Sequence, residues 1–473
     1  MTIRRATAMS TLRGLLLLIA VAIAAPAWAQ RIEVTPDTVV AGEPLRIVLK
    51  GFARNAEVTV SAQRPVPAFM PGQPTRLFKS EAVYRSTHAG TLDLATARPL
   101  RGSYSGPDLR GLFWSMQPVE GATPAADWPA SQVRISASQD GNEVATATVT
   151  LREARADIVV EPVGDALPGA LLARLPDGIR RPAIIVLGGS EGGDWFAKAM
   201  APRLASYGYA VLGLPYYAPT WLQRADLASL PSDFVDIPVE RLQQAREWLA
   251  GRDDIDADRI GVYGVSKGAE FALLASTKFD WIDAVAAIVP TDVVWEGWGM
   301  QGVIPGGRAS FAWRGEPLPF VPYRDMAAEF ARMGTGEAAL RRAHDHGRAD
   351  HPGRANDARI PVERFTGALL VAGGMQDAVW GSGPMAQAIA ERRAAAGLAT
   401  VNMTFYDAGH ALSGSGWSPT TQLGGAGMNM GGTAVGTAHA QAATWDATLK
   451  LFAEALQPPA VEPTPSSTPA PAP

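Results

Sequence analysis

Two serines of this chain occur in the pattern Gly-x-Ser-x-Gly, at Ser190 and at Ser266. A serine in this pattern can stand on a tight strand-to-helix turn, where a neighbouring base takes its proton and makes it a nucleophile. In sheets that use this motif, the loop that supplies one oxyanion N–H precedes the nucleophile strand. Because two apolar runs, 183–187 and 210–215, precede Ser266, we predict that Ser266 is the nucleophile and that Ser190 lies in the oxyanion loop.

An attacking serine also needs backbone N–H donors for the charge that develops on the substrate oxygen. The Lys267 N–H directly follows Ser266 and would begin a helix over 267–276, whose N-terminus favours negative charge. The second donor is predicted in the glycine-rich loop, at Ser190 or Glu191. For the Ser266 motif taken alone, a glycine-rich turn without chemistry is an equally good interpretation.

The predicted base is His410, one of six histidines. It directly follows the apolar run 401–406, which places it on a loop at the carboxyl edge of a sheet. His439 is a weaker alternative, because it stands at the start of the last helical segment.

The acid that orients the base should lie between the serine and the histidine in the chain. Asp377 follows the apolar run 368–372 and is predicted to be this acid. Asp292, which follows the preceding run, is the alternative. Asp407 shares a strand end with the base and is expected to point elsewhere.

No metal or cofactor site is predicted. The chain has no cysteine, so disulfides, thiolate ligands and cysteine nucleophiles are excluded. The segment from His344 to His351 contains three histidines, a residue type that many metals bind. Its neighbours favour a solvated basic face instead, since they include Arg341, Arg342, Arg348 and Arg354.

Residues 30–156 consist of short alternating runs separated by turn residues. This pattern is typical of a β-sandwich, and an immunoglobulin-like sandwich is predicted here. The predicted strands are 31–34, 45–49, 57–62, 81–86, 133–137 and 144–151.

From residue 157 to 457, continuous apolar runs alternate with helical patterns such as 238–250, 384–395 and 440–456. Apolar runs without polar alternation are typical of parallel strands covered by helices on both faces. An α/β-hydrolase domain is therefore predicted, with its active site beyond the carboxyl ends of the strands. A stretch rich in Gly, Pro and Arg at about 295–361 is predicted to be a lid-like insertion. The Pro-rich end, 458–473, is predicted to be disordered.

The N-terminus has the features of a signal peptide over residues 1–29. Basic residues precede a short apolar run at 15–25, and Ala27-Trp28-Ala29 fits the small-x-small cleavage rule. We expect an exported protein, periplasmic or secreted, that begins at Gln30 and has no stable membrane insertion after cleavage; an uncleaved anchor is the alternative. The net charge of −4 argues against nucleic acid as the main partner.

Several longer motifs surround these candidates in the second domain: LGGSEGG at 187–193, YGVSKGAE at 263–270, FAWRGEPLPFVPY at 311–323, GGMQDAVW at 373–380, AGH at 408–410 and GGT at 431–433. The first domain contains IEVTPDTVVAGEPLRI and GSYSGPDLRGLFWSM. Through these motifs the chain resembles the acyl-CoA thioesterase / bile acid-CoA:amino acid N-acyltransferase family over nearly all of its mature length. The resemblance implies acyl transfer from a thioester through a Ser or Cys nucleophile with Asp and His, roles that fall on Ser266, Asp377 and His410.

The predicted function is a serine hydrolase, most similar to acyl-CoA thioesterases, that acts on a small acyl thioester or ester without a cofactor. Trp295, Phe311 and Trp313 of the insertion are predicted to supply an apolar wall for the acyl chain, with ordinary core packing as the alternative. An exported carboxylesterase, an acyltransferase on a non-CoA substrate and an inactive binding protein are the other interpretations.

Overall fold

The computed structural model describes residues 29–68, 74–299, 302–303, 307–335, 337–338, 340–423 and 428–461. All but the last residue of the predicted signal peptide lies outside the described residues, as does 462–473 of the Pro-rich end. Within the described ranges, no helix is long and apolar enough to cross a bilayer.

The first part of the chain, which we call the N-terminal domain, contains two sheets that share one core. One sheet has the strand order β1-β3-β6; the other has the order β2-β10-β9-β4-β5-β7, with β8 also pairing with β5. The elements are β1 (Arg31–Thr35), β2 (Thr38–Val40), β3 (Arg46–Lys50), β4 (Glu57–Val66), β5 (Arg76–Arg85), β6 (Leu92–Asp93), β7 (Arg101–Gly102), α1 (Gly111–Trp114), β8 (Gln117–Pro118), β9 (Gln132–Gln139) and β10 (Asn142–Arg152).

Alternation of side chains explains this core. On β4, Val58, Val60 and Ala62 are fully buried at every second position, as expected for a strand with one face on a core. The β9–β10 hairpin turns through Asp140 and Gly141, both at positive φ, as two-residue hairpins require. The immunoglobulin-like topology stays a prediction.

The second part of the chain is built on one eight-stranded sheet with the order β11-β12-β14-β13-β16-β17-β22-β23. Its elements and those of the insertion are β11 (Val159–Pro162), β12 (Leu171–Arg174), β13 (Arg181–Leu187), α2 (Trp195–Ala205), β14 (Ala210–Gly213), β15 (Ile237–Pro238), α3 (Arg241–Ala250), β16 (Ile255–Val265), α4 (Lys267–Ser276), β17 (Ile282–Ile288), β18 (Trp298–Gly299), β19 (Gly302–Val303), β20 (Phe311–Trp313), β21 (Glu316–Pro317), α5 (Met326–Ala331), α6 (Arg341–Asp350), α7 (Pro352–Asp357), β22 (Ala368–Gly374), α8 (Ser382–Ala395), β23 (Val401–Phe405) and α9 (Ala434–Leu456).

The sheet is mixed rather than wholly parallel. The strands from β14 to β23 are parallel, whereas β11 and β12 are antiparallel additions at one edge. Both of these strands have only four residues. They are therefore too short to give a periodic signal in the sequence.

Helices cover both faces of this sheet. On β13, Ile185 and Leu187 face the core that contains residues of α3, α4 and α8. Ile184 and Val186 face the opposite core, which contains residues of α2 and α9. Burial on both faces is why the strand is a continuous apolar run, and it leaves the loops at the carboxyl edge as the accessible place for chemistry.

The predicted insertion at about 295–361 is folded over much of its described length. It contributes four short strands, β18 to β21, and the helices α5 to α7. Its apolar residues join those around Val379 and Trp380 in a separate core cluster. The insertion is therefore packed onto the sheet domain next to the loop that carries Asp377.

Candidate active site

Ser266 stands on a strained turn between β16 and α4. Its φ of 56° and ψ of −123° lie in a region that side chains rarely adopt. The neighbouring glycines make the turn sterically feasible: a Cβ at Gly264 would lie 2.2 Å from the Gly268 carbonyl oxygen, and one at Gly268 would lie 2.3 Å from the Gly188 carbonyl oxygen. The sequence pattern thus allows close contact between the turn and the Gly188 loop.

The structure brings Ser266, His410 and Asp377 together in one hydrogen-bonded chain. Ser266 Oγ lies 2.9 Å from His410 Nε2, and His410 Nδ1 lies 2.8 Å from Asp377 Oδ2. With the imidazole proton on Nδ1, that atom donates to the carboxylate and Nε2 is free to accept the serine proton. The three residues come from the ends of β16, β23 and β22, which are separate strands of the same sheet edge.

Asp377 is held by its own loop. Its Oδ1 accepts hydrogen bonds from the backbone N–H groups of Val379 at 2.8 Å and Trp380 at 3.1 Å. Its side chain is fully buried, and that of His410 is almost so. A buried carboxylate with these donors has a fixed orientation, and its hydrogen bond to His410 then orients the imidazole.

Ser382 is a further member of this network and is not among the residues predicted from the sequence. Its hydroxyl donates to Asp377 Oδ2 at 2.5 Å and accepts from the Gly374 N–H at 3.1 Å. Ser382 is the first residue of α8 and is fully buried. The only signal in the sequence is a serine shortly after the acid, which many loops contain.

Trp380 packs edge-on against the base. Its ring centroid lies 5.0 Å from that of His410, with the planes at 87°. On its other side it contacts His344, which also contacts Trp295 and Tyr323. The base therefore rests against an aromatic cluster that the insertion completes.

The predicted oxyanion loop lies beside Ser266. A Cβ at Gly189 would lie 3.1 Å from Ser266 Cβ. The Gly189 N–H donates to Glu191 Oε1 at 2.9 Å, and burial raises the pKa of the Glu191 carboxyl. Ser190 is exposed. Lys267 is the first residue of α4, so its backbone N–H has no acceptor within the helix. The donor roles of Ser190, Glu191 and Lys267 stay predictions.

A small pocket opens next to this loop. It is lined by Gly188, Gly189, Glu191, Gly192, Gly193, Ala197, Leu214, Pro215, Tyr216 and Tyr217. The Tyr216 hydroxyl donates to the Gly188 carbonyl at 2.7 Å, which restrains the backbone of the loop at Gly188.

The side chain of Lys267 is buried behind the nucleophile in an ion pair. Its Nζ lies 2.5 Å from Glu270 Oε2 and donates to Ser310 Oγ at 2.9 Å. Burial lowers the pKa of Lys267 and raises that of Glu270, while their mutual attraction opposes both shifts. Glu270 also accepts from the Trp295 N–H, so the pair ties the start of α4 to the insertion.

The alternative acid and base lie elsewhere. Asp292 pairs with Arg348 through two hydrogen bonds of 2.6 and 2.8 Å. His439 lies in the second turn of α9, where its Nε2 is 3.0 Å from Asp108 of the N-terminal domain. Asp407 is exposed, as expected.

The solvated face predicted for 344–351 is wrong for His344. This residue is buried among aromatic rings on α6, and burial lowers its pKa to about 3. His346 on the same helix is exposed. Among the residues that the structure describes, no group of three or more His, Asp or Glu side chains is placed to hold a metal ion.

Two of the three residues predicted for the apolar wall do not form it. Trp295 and Phe311 are completely buried, whereas Trp313 is half-buried and packs on Phe279, so its role stays a prediction. Trp295 stacks on Tyr323, so it serves as core beneath the insertion. Side chains without exposed surface cannot line a cleft, and the apolar pattern alone could not distinguish the two roles.

Two family models match complementary parts of the chain. The model described as "Acyl-CoA thioester hydrolase/BAAT N-terminal region" matches residues 42–159, and "BAAT / Acyl-CoA thioester hydrolase C terminal" matches residues 237–458. A third model, the dienelactone hydrolase family, matches residues 169–295, which include the Gly188 loop and Ser266.

Several relatives extend over most of the chain. Acyl-coenzyme A thioesterase 1 of Rattus norvegicus is 26% identical over 377 residues, which are 78% of this chain and 82% of the relative. Acyl-coenzyme A amino acid N-acyltransferase 2 of Rattus norvegicus is 26% identical over 442 residues, 89% of this chain and 97% of the relative. The peroxisomal succinyl-coenzyme A thioesterase of Mus musculus is 25% identical over 363 residues, 75% of this chain and 78% of the relative. The chain, with its α/β-hydrolase-like second part, thus belongs to the acyl-CoA thioester hydrolase/BAAT family.

Proposed function

We propose that this protein hydrolyses acyl thioesters through a covalent acyl intermediate on Ser266. The observation that carries the proposal is the hydrogen-bonded chain from Ser266 through His410 to Asp377. The names of the relatives support an acyl-CoA-like substrate, since two of them are thioesterases that act on CoA esters.

In the first half of the reaction, Ser266 Oγ attacks the thioester carbonyl carbon while its proton passes to His410 Nε2. The carbonyl oxygen becomes an oxyanion, and the proposed donors that stabilise it are the Lys267 N–H and an N–H of Ser190 or Glu191. The C–S bond then breaks, and the proton on His410 goes to the leaving sulfur. The acyl group remains on Ser266 as an oxygen ester.

In the second half, water replaces the thiol. His410 takes a proton from the water as its oxygen attacks the acyl carbon, and returns it to Ser266 Oγ as the C–O bond to the serine breaks. The products are the carboxylic acid and free enzyme. Asp377 orients the imidazole in both halves and stabilises the imidazolium.

Water rather than an amine is the proposed acceptor. One relative is an amino acid N-acyltransferase, so both outcomes occur among similar proteins. The chain has no cysteine, so its intermediate is an oxygen ester, which amines attack less readily than a thioester. Transfer to an amine would therefore need a dedicated amine pocket.

We also propose that the protein is exported, on the basis of its N-terminal residues. Export would separate it from cytoplasmic CoA esters, so the thiol of its substrate outside the cytoplasm need not be CoA. An exported carboxylesterase is the second candidate, because the same three residues cleave oxygen esters.

The test is to measure thiol release from acyl-CoA esters of graded chain length, with p-nitrophenyl esters in parallel, for wild type, Ser266→Ala and Ser190→Ala. Ser266→Ala should lose up to about a millionfold in kcat, and Ser190→Ala should keep most activity. Mass spectrometry of products formed with added glycine or taurine should find mainly free acid. An active Ser266→Ala protein would refute the mechanism, and a majority of N-acyl product would refute water as the acceptor.

A further inference from the structure

The segment that follows the base, residues 411–432, connects the catalytic residues to the N-terminal domain. We call it the base loop; residues 424–427 of it lie outside the described part. It contains no helix or strand among its described residues. A loop of this length does not hold one conformation unless other parts of the chain restrain it.

The base loop contacts the nucleophile strand near its start, and the base and the acid at its end. Near its start, Ser413 Oγ lies 2.9 Å from the Tyr263 hydroxyl of the nucleophile strand β16. At its end, the Met430 carbonyl accepts the His410 N–H at 2.7 Å, and Gly431 forms a β-bridge with Asp377. A displacement of this loop would therefore move the base and the acid directly.

The middle of the base loop docks into the N-terminal domain. The Trp417 ring meets Phe113 edge-on, with centroids 4.9 Å apart, and belongs to the hydrophobic core of that domain. The Thr420 N–H donates to the Trp114 carbonyl at 3.0 Å, and the Thr421 hydroxyl donates to the Met116 carbonyl at 2.5 Å.

The surface that receives the loop is itself rigidly held. Trp114 and Met116 are buried, and their carbonyl groups accept hydrogen bonds from Thr420 and Thr421 of the loop. Ser80 donates to the Leu112 carbonyl at 2.5 Å, and the Trp114 ring N–H donates to Asp108 at 2.9 Å. Asp108 also contacts His439 of α9, which adds a second link to the sheet domain.

We propose that the N-terminal domain is a positioning element of the active site: it holds the base loop, and through it His410, in the catalytic position. The inference rests on the proposed function, because it takes His410 as the base. A catalytic group displaced by about 1 Å can lose up to about a hundredfold in rate, so a docked loop gives the domain a direct role in turnover.

The test uses single substitutions that undock the loop. Thr421→Val removes the hydroxyl and leaves the Met116 carbonyl without its donor, whereas Thr421→Ser keeps the bond. Trp417→Phe is a second, milder change of the same contact surface. The control is Ile135→Val on β9, a buried residue of the same domain that faces its core far along the chain from α1.

Thr421→Val should lower kcat by about tenfold with little change in KM, and slow fluorophosphonate labelling of Ser266 in parallel. Thr421→Ser should restore both rates, Trp417→Phe should lower kcat less, and Ile135→Val should lower the melting temperature without lowering kcat. Wild-type kcat in both Thr421→Val and Trp417→Phe, or an equal loss in Ile135→Val, would overturn the proposal. Failure of the proposed function would be distinct, because Ser266→Ala would then remain active.

Discussion

The Ser382 hydroxyl helps to fix the orientation of the Asp377 carboxylate. Asp377 Oδ2 accepts from both Ser382 and His410, while Oδ1 is bonded to two backbone N–H groups. The carboxylate therefore has four donors around it. Ser382 does not touch the substrate, and we regard it as a positioning residue.

Ser382→Ala should lower kcat about tenfold, since an unfixed carboxylate orients the imidazole less well. Steady-state kinetics separate this loss in kcat from any change in KM, and Ser382→Thr, which keeps a hydroxyl, should recover part of the rate. Wild-type kcat in Ser382→Ala would show that Ser382 only supports the fold.

His344 predicts an acid-sensitive stability. Its pKa is lowered by burial from 6.5 to about 3, so it is neutral when folded, whereas the unfolded chain binds a proton below pH 6.5. The unfolded state then holds more protons, so stability falls as the pH drops from 6.5 toward 3, by about 1.4 kcal/mol for each unit.

His344→Phe should weaken this pH dependence, even if loss of the bond to the Leu340 carbonyl lowers stability at pH 7. His346→Phe, at an exposed position of the same helix, is the matched control. Urea unfolding at pH 5 and pH 7 gives the two differences. Equal pH dependence in wild type and His344→Phe would contradict the assignment.

The site residues that could be predicted from the sequence are those that follow a strand. Ser266, Asp377 and His410 each follow an apolar run, and parallel strands bring such positions to one edge. Ser382 and Trp380 depend on the course of the loop after Asp377, which no periodicity describes. The prediction for His344 is wrong because the charge of neighbouring arginines does not indicate which face of α6 is buried, and His344 lies on the buried face.

At the scale of elements, the strand–turn–helix around Ser266 is the most tightly constrained. Gly268 lies in the first turn of α4, facing the Gly188 carbonyl, so the two loops of the site can approach closely only without a side chain there. This packing couples the nucleophile turn to the oxyanion loop.

Gly268→Ala should therefore reduce activity severely, because its Cβ would lie 2.3 Å from the Gly188 carbonyl oxygen and would push the loop away. Gly353→Ala is the control: it lies on helix α7 with no atom within 4 Å of the added Cβ, and alanine there should stabilise the helix by up to about 1 kcal/mol. Esterase activity and thermal melting measure both variants. An active Gly268→Ala protein would contradict the proposed coupling of the two loops.

Long elements of the second domain were predictable, whereas its short ones were not. Helix α4 begins and ends where its sequence pattern predicts, at Lys267 and Ser276. Strands β11 and β12 are too short to show a hydrophobic periodicity. The insertion is rich in glycine and proline, so its sequence does not show whether it forms a mobile lid or a folded part of the domain. Burial of Trp295 and Phe311 became clear only from the tertiary structure.

At the scale of the whole molecule, the two parts of the chain share a boundary that includes the active-site loop. The N-terminal domain receives Trp417 in its core, although that residue lies far along the chain. Sequence patterns report local periodicity and carry no information on which distant segment fills a given core. The connection between the domains was therefore not predictable.

The N-terminal residues predict a mature chain that begins at Gln30. Removal of 29 residues would take away the short apolar run at 15–25 together with the basic residues that precede it. N-terminal sequencing of the native protein, with fractionation of the cells, should find Gln30 first and the protein outside the cytoplasm. Recovery of the full-length chain from the cytosol would contradict export and would leave acyl-CoA hydrolysis unaffected.

The mechanism requires that Ser266, activated by His410, forms the covalent intermediate. The decisive experiment is to react the protein with a fluorophosphonate probe and to map the modified residue by peptide mass spectrometry. We expect a single adduct on Ser266, which is lost in Ser266→Ala and forms much more slowly in His410→Ala. An adduct on Ser190, or none on a protein that still hydrolyses thioesters, would contradict it.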